Sequence, residues 1–300
     1  MATLYTQQSR NIRKTYLLMG VFLVLVIAVG YSAAWYLNNP LILYVTAFLA
    51  ILTNIYSYWY SDRLVLRMTG AQPVSKAQAP ELYTIVENLA ITAGLPMPKV
   101  YLIDDPSPNA FATGRNPEHA VVAATTGLLQ ILDRSELEGV MAHEMAHVAN
   151  RDILVMTVAV VLAGFVAILA DIFMRFLWFG GGDRNRHPAF LIIGILGIVL
   201  APIAAKLIQM AVSRRREYLA DASGALLTRY PEGLASALEK ITQHAQPMRK
   251  ASHATAHLFI ADPFNGTTRG LMQKMSGWFQ THPPAAERIS RLRNMGAITS

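Results

Sequence analysis

The sequence contains no cysteine, which excludes disulfide bonds, cysteine-ligated zinc and cysteine nucleophiles. It also has few charges: charged residues make up 15% of the 300 residues, against 53% for apolar ones. That balance is poor for a soluble domain and is typical of a membrane protein with a globular part. Any transition-metal site in this chain must therefore use histidine, aspartate or glutamate.

Long apolar stretches are the first positive feature, because about 20 mainly apolar residues form a helix that crosses a bilayer. The four candidates are residues 16–37, 41–60, 153–179 and 189–212. The first two carry no charge and are joined by Asn38-Asn39-Pro40, so we expect a transmembrane hairpin. The last two contain charges and could instead be buried helices of a soluble core. In the third, we expect Asp171 and Arg175 to neutralise each other, because they are four residues apart.

Basic residues lie mainly on one side of these stretches. The flanking residues are Arg10, Arg13, Lys14, Arg63, Arg67, Arg214, Arg215 and Arg216. The opposite side holds the Asn-Asn-Pro turn and the loop 180–186, which has two arginines. The positive-inside rule therefore places both termini, and the segment between the second and third stretches, in the cytoplasm. Membrane flanks account for the net charge of +7, and we expect no nucleic-acid partner.

The polar segments predict a mainly α fold with a small β-sheet. Residues 79–92 have the periodicity of a helix that buries one face. The predicted strands are residues 99–103 and 120–125. Ser135 is predicted to cap the next helix, with Glu138 at the capping-box position.

The motif His143-Glu144-Met145-Ala146-His147 carries the chemistry. On a helix, residues four apart lie on the same face, so both imidazoles can bind one zinc ion. Glu144 lies beside them and can take a proton from zinc-bound water, whose pKa zinc brings to about 7. The alternative is a helix with two solvated histidines. The strongly helical segment before the motif favours the zinc site.

A catalytic zinc site needs a third protein ligand and leaves one position for water. Glu217 is the main candidate: it follows the fourth apolar stretch, whereas His147 precedes the third, and two crossings return the chain to the same side. Asp221, one helical turn later, is the nearest rival. Its shorter side chain suits it better to orient a ligand histidine through the second ring nitrogen. Alternatively, both carboxylates pair with the arginines before them.

These motifs resemble the HtpX-type membrane metalloproteases, in the same broad family as the CAAX prenyl proteases. The matching segments are residues 108–114, 143–147, 217–221, 281–284 and 287–289. The resemblance covers nearly the whole chain and implies a zincin-like endopeptidase with one zinc ion per chain. It implies that Glu144 is the base and that His143, His147 and Glu217 are the ligands. It also implies membrane or misfolded protein substrates and a quality-control role in the bacterial inner membrane, and leaves the substrate and oligomeric state open.

We therefore expect a catalytic domain in two parts, each preceded by a membrane hairpin. The expected divisions are residues 1–62 (first hairpin), 63–152 (first catalytic part), 153–212 (second hairpin) and 213–300 (second catalytic part). Asn109, His282 and Arg288 match the family motifs and are candidates to hold substrate backbone or stabilise the oxyanion, the alternative being packing or capping. An extended substrate is expected to pair with an edge strand, for which residues 120–125 are the candidate.

Three other functions compete with this one. A prenyl protease of the CAAX type has more spans than the four stretches here. An intramembrane metalloprotease has its zinc motif within a span, whereas charged residues precede this motif. A non-catalytic adaptor or transporter needs no base, so the presence of Glu144 argues against it.

Overall fold

The protein is represented by a computed structural model, which describes residues 4–179, 213–252, 254–264 and 283–299. These residues form a mainly helical fold with one four-stranded sheet, as the sequence predicts. The helices are α1 (Leu4–Tyr36), α2 (Leu41–Thr69), α3 (Pro80–Ala93), α4 (Thr126–Ile131), α5 (Arg134–Ala149), α6 (Asp152–Phe179), α7 (Arg214–Thr228), α8 (Pro231–Gln243) and α9 (Ala285–Thr299). The strands are β1 (Gln72–Pro73), β2 (Lys99–Ile103), β3 (Ala110–Thr113) and β4 (Val121–Thr125). Two short 3-10 turns cover Pro117–His119 and Ala256–Leu258.

Helices α1 and α2 form the predicted hairpin, but both extend beyond the apolar stretches. Helix α1 begins at Leu4, twelve residues before the predicted start at 16, and α2 continues to Thr69. The added turns carry the charged residues of both helices, and buried members such as Asn11 and Val65 pack against the rest of the protein. Gly70 ends α2 in the left-handed conformation, and only Ala71 then separates it from β1.

Three helices in the described part of the chain are long and apolar enough to cross a membrane. Their candidate spans are Gln8–Tyr36, Leu41–Thr69 and Asp152–Asp171. In the third, 72% of the most apolar stretch is buried inside the protein, against 17% in α2, so α6 is the central helix of the three. The predicted pair is confirmed, since Arg175 Nε lies 2.7 Å from Asp171 Oδ2. The fourth predicted stretch, 189–212, and the loop 180–186 lie outside the described residues.

The sheet has the strand order β1-β2-β4-β3. Strand β4 pairs in parallel with β2 and antiparallel with β3, so it is a central strand. The prediction that residues 120–125 form an edge strand is therefore wrong. Every residue of β4 is buried, which suits a strand covered on both sides, and the edges of the sheet are β1 and β3. On β3, the hydroxyl of Thr113 also contacts that of Thr157 on α6, at 2.9 Å.

Helix α5 runs through the middle of the catalytic part, against α3, α7 and α8. It begins two residues earlier than predicted. Asp133, not Ser135, is the N-cap: its carboxylate accepts from the backbone N–H groups of Ser135 and Glu136. The Glu136 carboxylate in turn accepts from the Asp133 N–H, which completes a capping box. The predicted cap with Glu138 is wrong because Asp133 offers the same bonds two residues earlier.

Candidate metal centre

The two histidines of the motif lie side by side on the buried face of α5. Their Nε2 atoms are 3.2 Å apart, and both residues are buried. Glu217 of α7 faces them. Its Oε2 lies 3.8 Å from the His143 Nε2, and its Oε1 lies 3.8 Å from the His147 Nε2. The three donor atoms lie within 4.8 Å of one another, and among the described residues this is the group that could hold a metal ion.

Helix α7 reaches this position because small residues line its contact with α5. Ala220 is fully buried in the interface, and Gly224 lies directly against His143. A Cβ built at Gly224 would be 3.0 Å from the His143 backbone nitrogen. A larger residue there would push α7 away, and with it the carboxylate of Glu217.

A carboxylate and an arginine fix the ring of His143. The Asp221 Oδ1 lies 3.0 Å from its Nδ1. Arg288 of α9 then donates to both Asp221 oxygens, at 2.9 and 2.7 Å. Burial would raise the pKa of Asp221, but Arg288 and His143 outweigh it and lower the pKa to about 2. Burial lowers the pKa of His143 to about 4, so its ring is neutral at neutral pH. With Nδ1 beside Asp221, its Nε2 faces Glu217.

The ring of His147 has a second support of the same kind. The Asp152 Oδ2 lies 3.1 Å from its Nδ1, and Arg216 Nε lies 2.7 Å from the other oxygen of Asp152. Burial alone would lower the pKa of His147, but the hydrogen bond to Asp152 and the nearby Glu217 carboxylate raise it to about 9. Both imidazoles therefore have a carboxylate on Nδ1 and their Nε2 toward the cluster, the usual arrangement of metal-binding histidines.

Glu144 lies in the same pocket and is fully buried, at 1% exposure. Burial raises the pKa of its carboxyl group to about 7, although His147 opposes this shift. The backbone N–H of Ala112, on edge strand β3, lies near the carboxylate and also opposes the shift. A group with this pKa exchanges protons readily near neutrality, as a general base must.

The sequence profile of Peptidase family M48 matches residues 76–296, which is most of the chain. The chain belongs to peptidase family M48. Its relatives include a "Protease HtpX homolog" of Caldanaerobacter subterraneus subsp. tengcongensis, 47% identical over 98% of both chains. Another protein of that name, from Pyrococcus furiosus, is 47% identical over 94% of this chain and 95% of its own length. The resemblance to the HtpX-type proteases is confirmed.

A solved structure has the same fold. The crystal structure of S. mikatae Ste24p superposes with a TM-score of 0.51, covering 97% of this chain and 67% of its own, at 18% identity. At that identity the likeness supports the fold alone. Together with the family, it confirms the zincin-like fold class. This M48 peptidase is a membrane-associated metallopeptidase, which also sets aside the non-catalytic adaptor.

The structure brings together five of the predicted site residues: His143, Glu144, His147, Glu217 and Asp221. Asp221 contacts a histidine and an arginine, as expected of a residue that orients a ligand. The roles assigned to the five in this M48 peptidase remain predictions.

The three candidates for substrate contact have different surroundings. The guanidinium of Arg288 is buried and shared between Asp221 and the Ile260 carbonyl, which favours positioning over contact with substrate. The side chain of Asn109 bonds both the carbonyl and the N–H of Ala261, which favours packing. His282 lies outside the described residues.

Asp152, Arg216 and Asn11 are parts of the site that the sequence did not indicate. Asp152 follows His147 by five residues, and that short spacing is a usable signal. Arg216 and Asn11 are hidden within basic flanks that sequence reasoning assigns to the membrane surface.

Proposed function

We propose that this M48 peptidase is a zinc endopeptidase that cleaves membrane or misfolded proteins at the cytoplasmic face of the bacterial inner membrane, in membrane protein quality control. The observation that carries the proposal is the buried group His143, His147 and Glu217, with Glu144 beside it. The similarity to proteins named HtpX proteases supports a membrane protease.

Zinc fits the donor set. Two imidazole nitrogens and one carboxylate oxygen converge, and the chain has no cysteine that would favour a closed structural site. When bound by His143, His147 and Glu217, zinc would polarise the scissile carbonyl. It would also lower the pKa of water to about 7.

Glu144 is the proposed general base. Its carboxylate takes a proton from the attacking water and passes it to the leaving amine as the peptide bond breaks. The raised pKa, about 7, suits both steps at neutral pH.

The substrate is proposed to add to β3 rather than to β4. Strand β3 is the edge of the sheet that packs against α5, the helix of Glu144, and the Ala112 N–H lies near that carboxylate. Part of the edge is occupied, since the Ile260 N–H donates to the Ala110 carbonyl at 3.0 Å. An extended segment would pair beyond that point, near Ala112, by strand addition.

The membrane face follows from the ends of the candidate spans. The residues of α5 that carry the histidines immediately precede α6, whose span begins at Asp152, so the site lies at one end of a membrane helix. The basic flanks support a cytoplasmic location for that end. In intact cells, a membrane-impermeant thiol reagent should label Asn185→Cys from outside and should not label Ser300→Cys. The opposite pattern would reverse the orientation.

Replacement of the base tests the mechanism. Glu144→Gln should keep zinc, because the three donors remain, and lose about 10²–10⁴-fold in turnover. Zinc content and casein hydrolysis by the purified protein measure the two quantities. The control is Glu138→Gln, a half-buried glutamate on the same helix, which should change neither. Turnover near normal in Glu144→Gln would refute the mechanism.

The quality-control role is tested in cells. Membrane proteins that accumulate with Glu144→Gln, and disappear when the wild-type chain is restored, would be substrates. Accumulation of soluble, folded proteins instead would contradict this part of the proposal.

A further inference from the structure

One side of α1, from Asn11 onward, faces the rest of the protein. Asn11 and Thr15 are buried, and the same face continues through Leu18 and Phe22, at the spacing of one helix side. The apolar part of this face packs against α6. The polar part must find hydrogen-bond partners, because burying an unpaired amide is costly.

Those partners lie at the end of the helix that carries both histidines. The Asn11 Nδ2 donates to the Asn150 carbonyl at 2.9 Å, and the Gln8 Nε2 donates to the Ala149 carbonyl at 2.8 Å. The last carbonyls of a helix have no partner within it. Side chains of α1 therefore cap the C-terminal end of α5, just beyond His147.

Asn11 also contacts Asp152. Its Nδ2 lies 2.6 Å from the Asp152 Oδ1, the oxygen that Arg216 also contacts, at 2.7 Å. The other oxygen, Oδ2, is the one that faces the His147 Nδ1. Arg216 in turn donates to the Asn11 Oδ1 at 3.4 Å, so the three residues close a buried ring of contacts. With Oδ1 held on two sides, the carboxylate can turn only Oδ2 toward His147.

We propose that Asn11 is a positioning residue that couples the first membrane helix to the metal ligand His147 by orienting Asp152. The inference rests on the proposed zinc-dependent function of this site. The residues involved are distant in sequence: Asn11 and Asp152 are separated by 141 positions, and Asn11 and Arg216 by 205. The packing of α1 against the catalytic part thus contributes to the affinity of His147 for a metal.

The test replaces the amide with an apolar side chain of similar volume. Asn11→Leu in the full-length protein, in lipid nanodiscs, should bind zinc several-fold more weakly, by less than the about 10–100-fold expected when Asp152 itself is lost. The effect is smaller because Arg216 still contacts Asp152. Competition with a zinc chelator measures the affinity, and the absorption spectrum of the cobalt-substituted protein reports the ligand geometry.

The matched control is Asn54→Leu. Asn54 is also a buried asparagine of the membrane hairpin, and its amide donates to the Met19 carbonyl, away from the metal cluster. Its replacement should leave zinc affinity and the cobalt spectrum unchanged. A general loosening of the hairpin would affect both variants alike, whereas positioning affects Asn11→Leu alone.

A double-mutant cycle identifies the route. If Asn11 acts through Asp152, then Asn11→Leu should weaken zinc binding in the wild-type background and have no further effect on Asp152→Asn. Equal zinc affinity in Asn11→Leu and Asn54→Leu, or independent effects in the double variant, would overturn the inference while leaving the zinc protease intact. Failure of the wild-type protein to bind zinc would overturn both.

Discussion

The two histidines of the metal centre are held by different parts of the molecule. His143 depends on Asp221 and Arg288, which lie on α7 and α9 in the catalytic part. His147 depends on Asp152, the first residue of a candidate membrane helix, and through it on Asn11 of another. The same arrangement, a carboxylate that contacts Nδ1 and pairs with an arginine, thus occurs twice. One copy lies within the catalytic part and the other at its junction with the membrane helices.

The two supports also differ in their effect on charge. The pKa of His143 is about 4, lowered first by burial and further by Arg288, whose Nη2 lies 3.4 Å from the ring. The pKa of His147 is about 9, because the carboxylates of Asp152, Glu217 and Glu144 surround it and outweigh its burial. At neutral pH, His143 is therefore neutral, whereas His147, the other proposed ligand, carries a proton.

The largest expected effect on zinc binding comes from removing Glu217, the carboxylate that lies near both histidines. Glu217→Ala should abolish stoichiometric zinc binding, because two imidazoles alone hold zinc weakly, whereas Asp221→Ala should keep zinc with about 10–100-fold weaker affinity. Zinc content after dialysis against a weak chelator separates the two. If Asp221→Ala lost its zinc and Glu217→Ala kept it, the carboxylates would have exchanged roles.

The next effect compares the two arginine-backed carboxylates directly. Asp221→Ala leaves the buried Arg288 without its two carboxylate bonds, and breaking such a pair costs about 3–5 kcal/mol of unfolding free energy. Asp152→Ala should cost less, because Arg216 keeps its contact with Asn11. Thermal unfolding of the metal-free variants in detergent measures the difference.

An exposed ion pair provides the control for that comparison. Glu239→Ala removes a surface carboxylate that pairs with Arg293, and it should leave stability almost unchanged because water screens exposed charges. If Asp152→Ala lost more stability than Asp221→Ala, then the carboxylate–arginine pair at the junction would contribute more to stability than the pair within the catalytic part.

The smallest effect is the pH dependence of zinc binding. Zinc must displace the proton of His147, whose pKa is about 9, while His143 is already neutral. Between about pH 7.5 and 8.5, zinc affinity should therefore fall about tenfold for each unit by which the pH is lowered. Asp152→Asn should flatten this slope, because it removes the partner that raises the pKa of His147.

Calorimetry in buffers of different ionisation enthalpy counts the released protons. Asp221→Asn serves as the comparison, because His143 contributes no proton in this range. If Asp221→Asn altered the slope more than Asp152→Asn did, the assignment of charge to the two histidines would be reversed.

Local patterns predicted much of this structure. The helix of the zinc motif and the strands at 99–103 and 121–125 depend on spacing and periodicity that a single segment contains. Glu217 could be predicted because the two expected membrane crossings would return the chain to the side of His147. The central position of β4 could not, since it depends on which strands pair with it, and that is decided by tertiary packing.

The carboxylates and arginines that support the two histidines differ in how far the sequence reveals them. Asp221 could be predicted because it lies one turn from Glu217 on the same helix. Asn11 contacts Asp152 across 141 positions, and no feature of its own neighbourhood distinguishes it from a polar residue at the start of a membrane helix. Likewise, Arg216 belongs to a run of three arginines of which it is the buried member.

The short connection between α2 and the sheet has a consequence for reach. Gly70 and Ala71 alone separate the membrane helix from β1, and Thr157 of α6 contacts edge strand β3. Two residues are too few to let the sheet move far from the end of α2. The position of the sheet, and of the metal cluster beside it, is therefore tied closely to the end of the membrane hairpin.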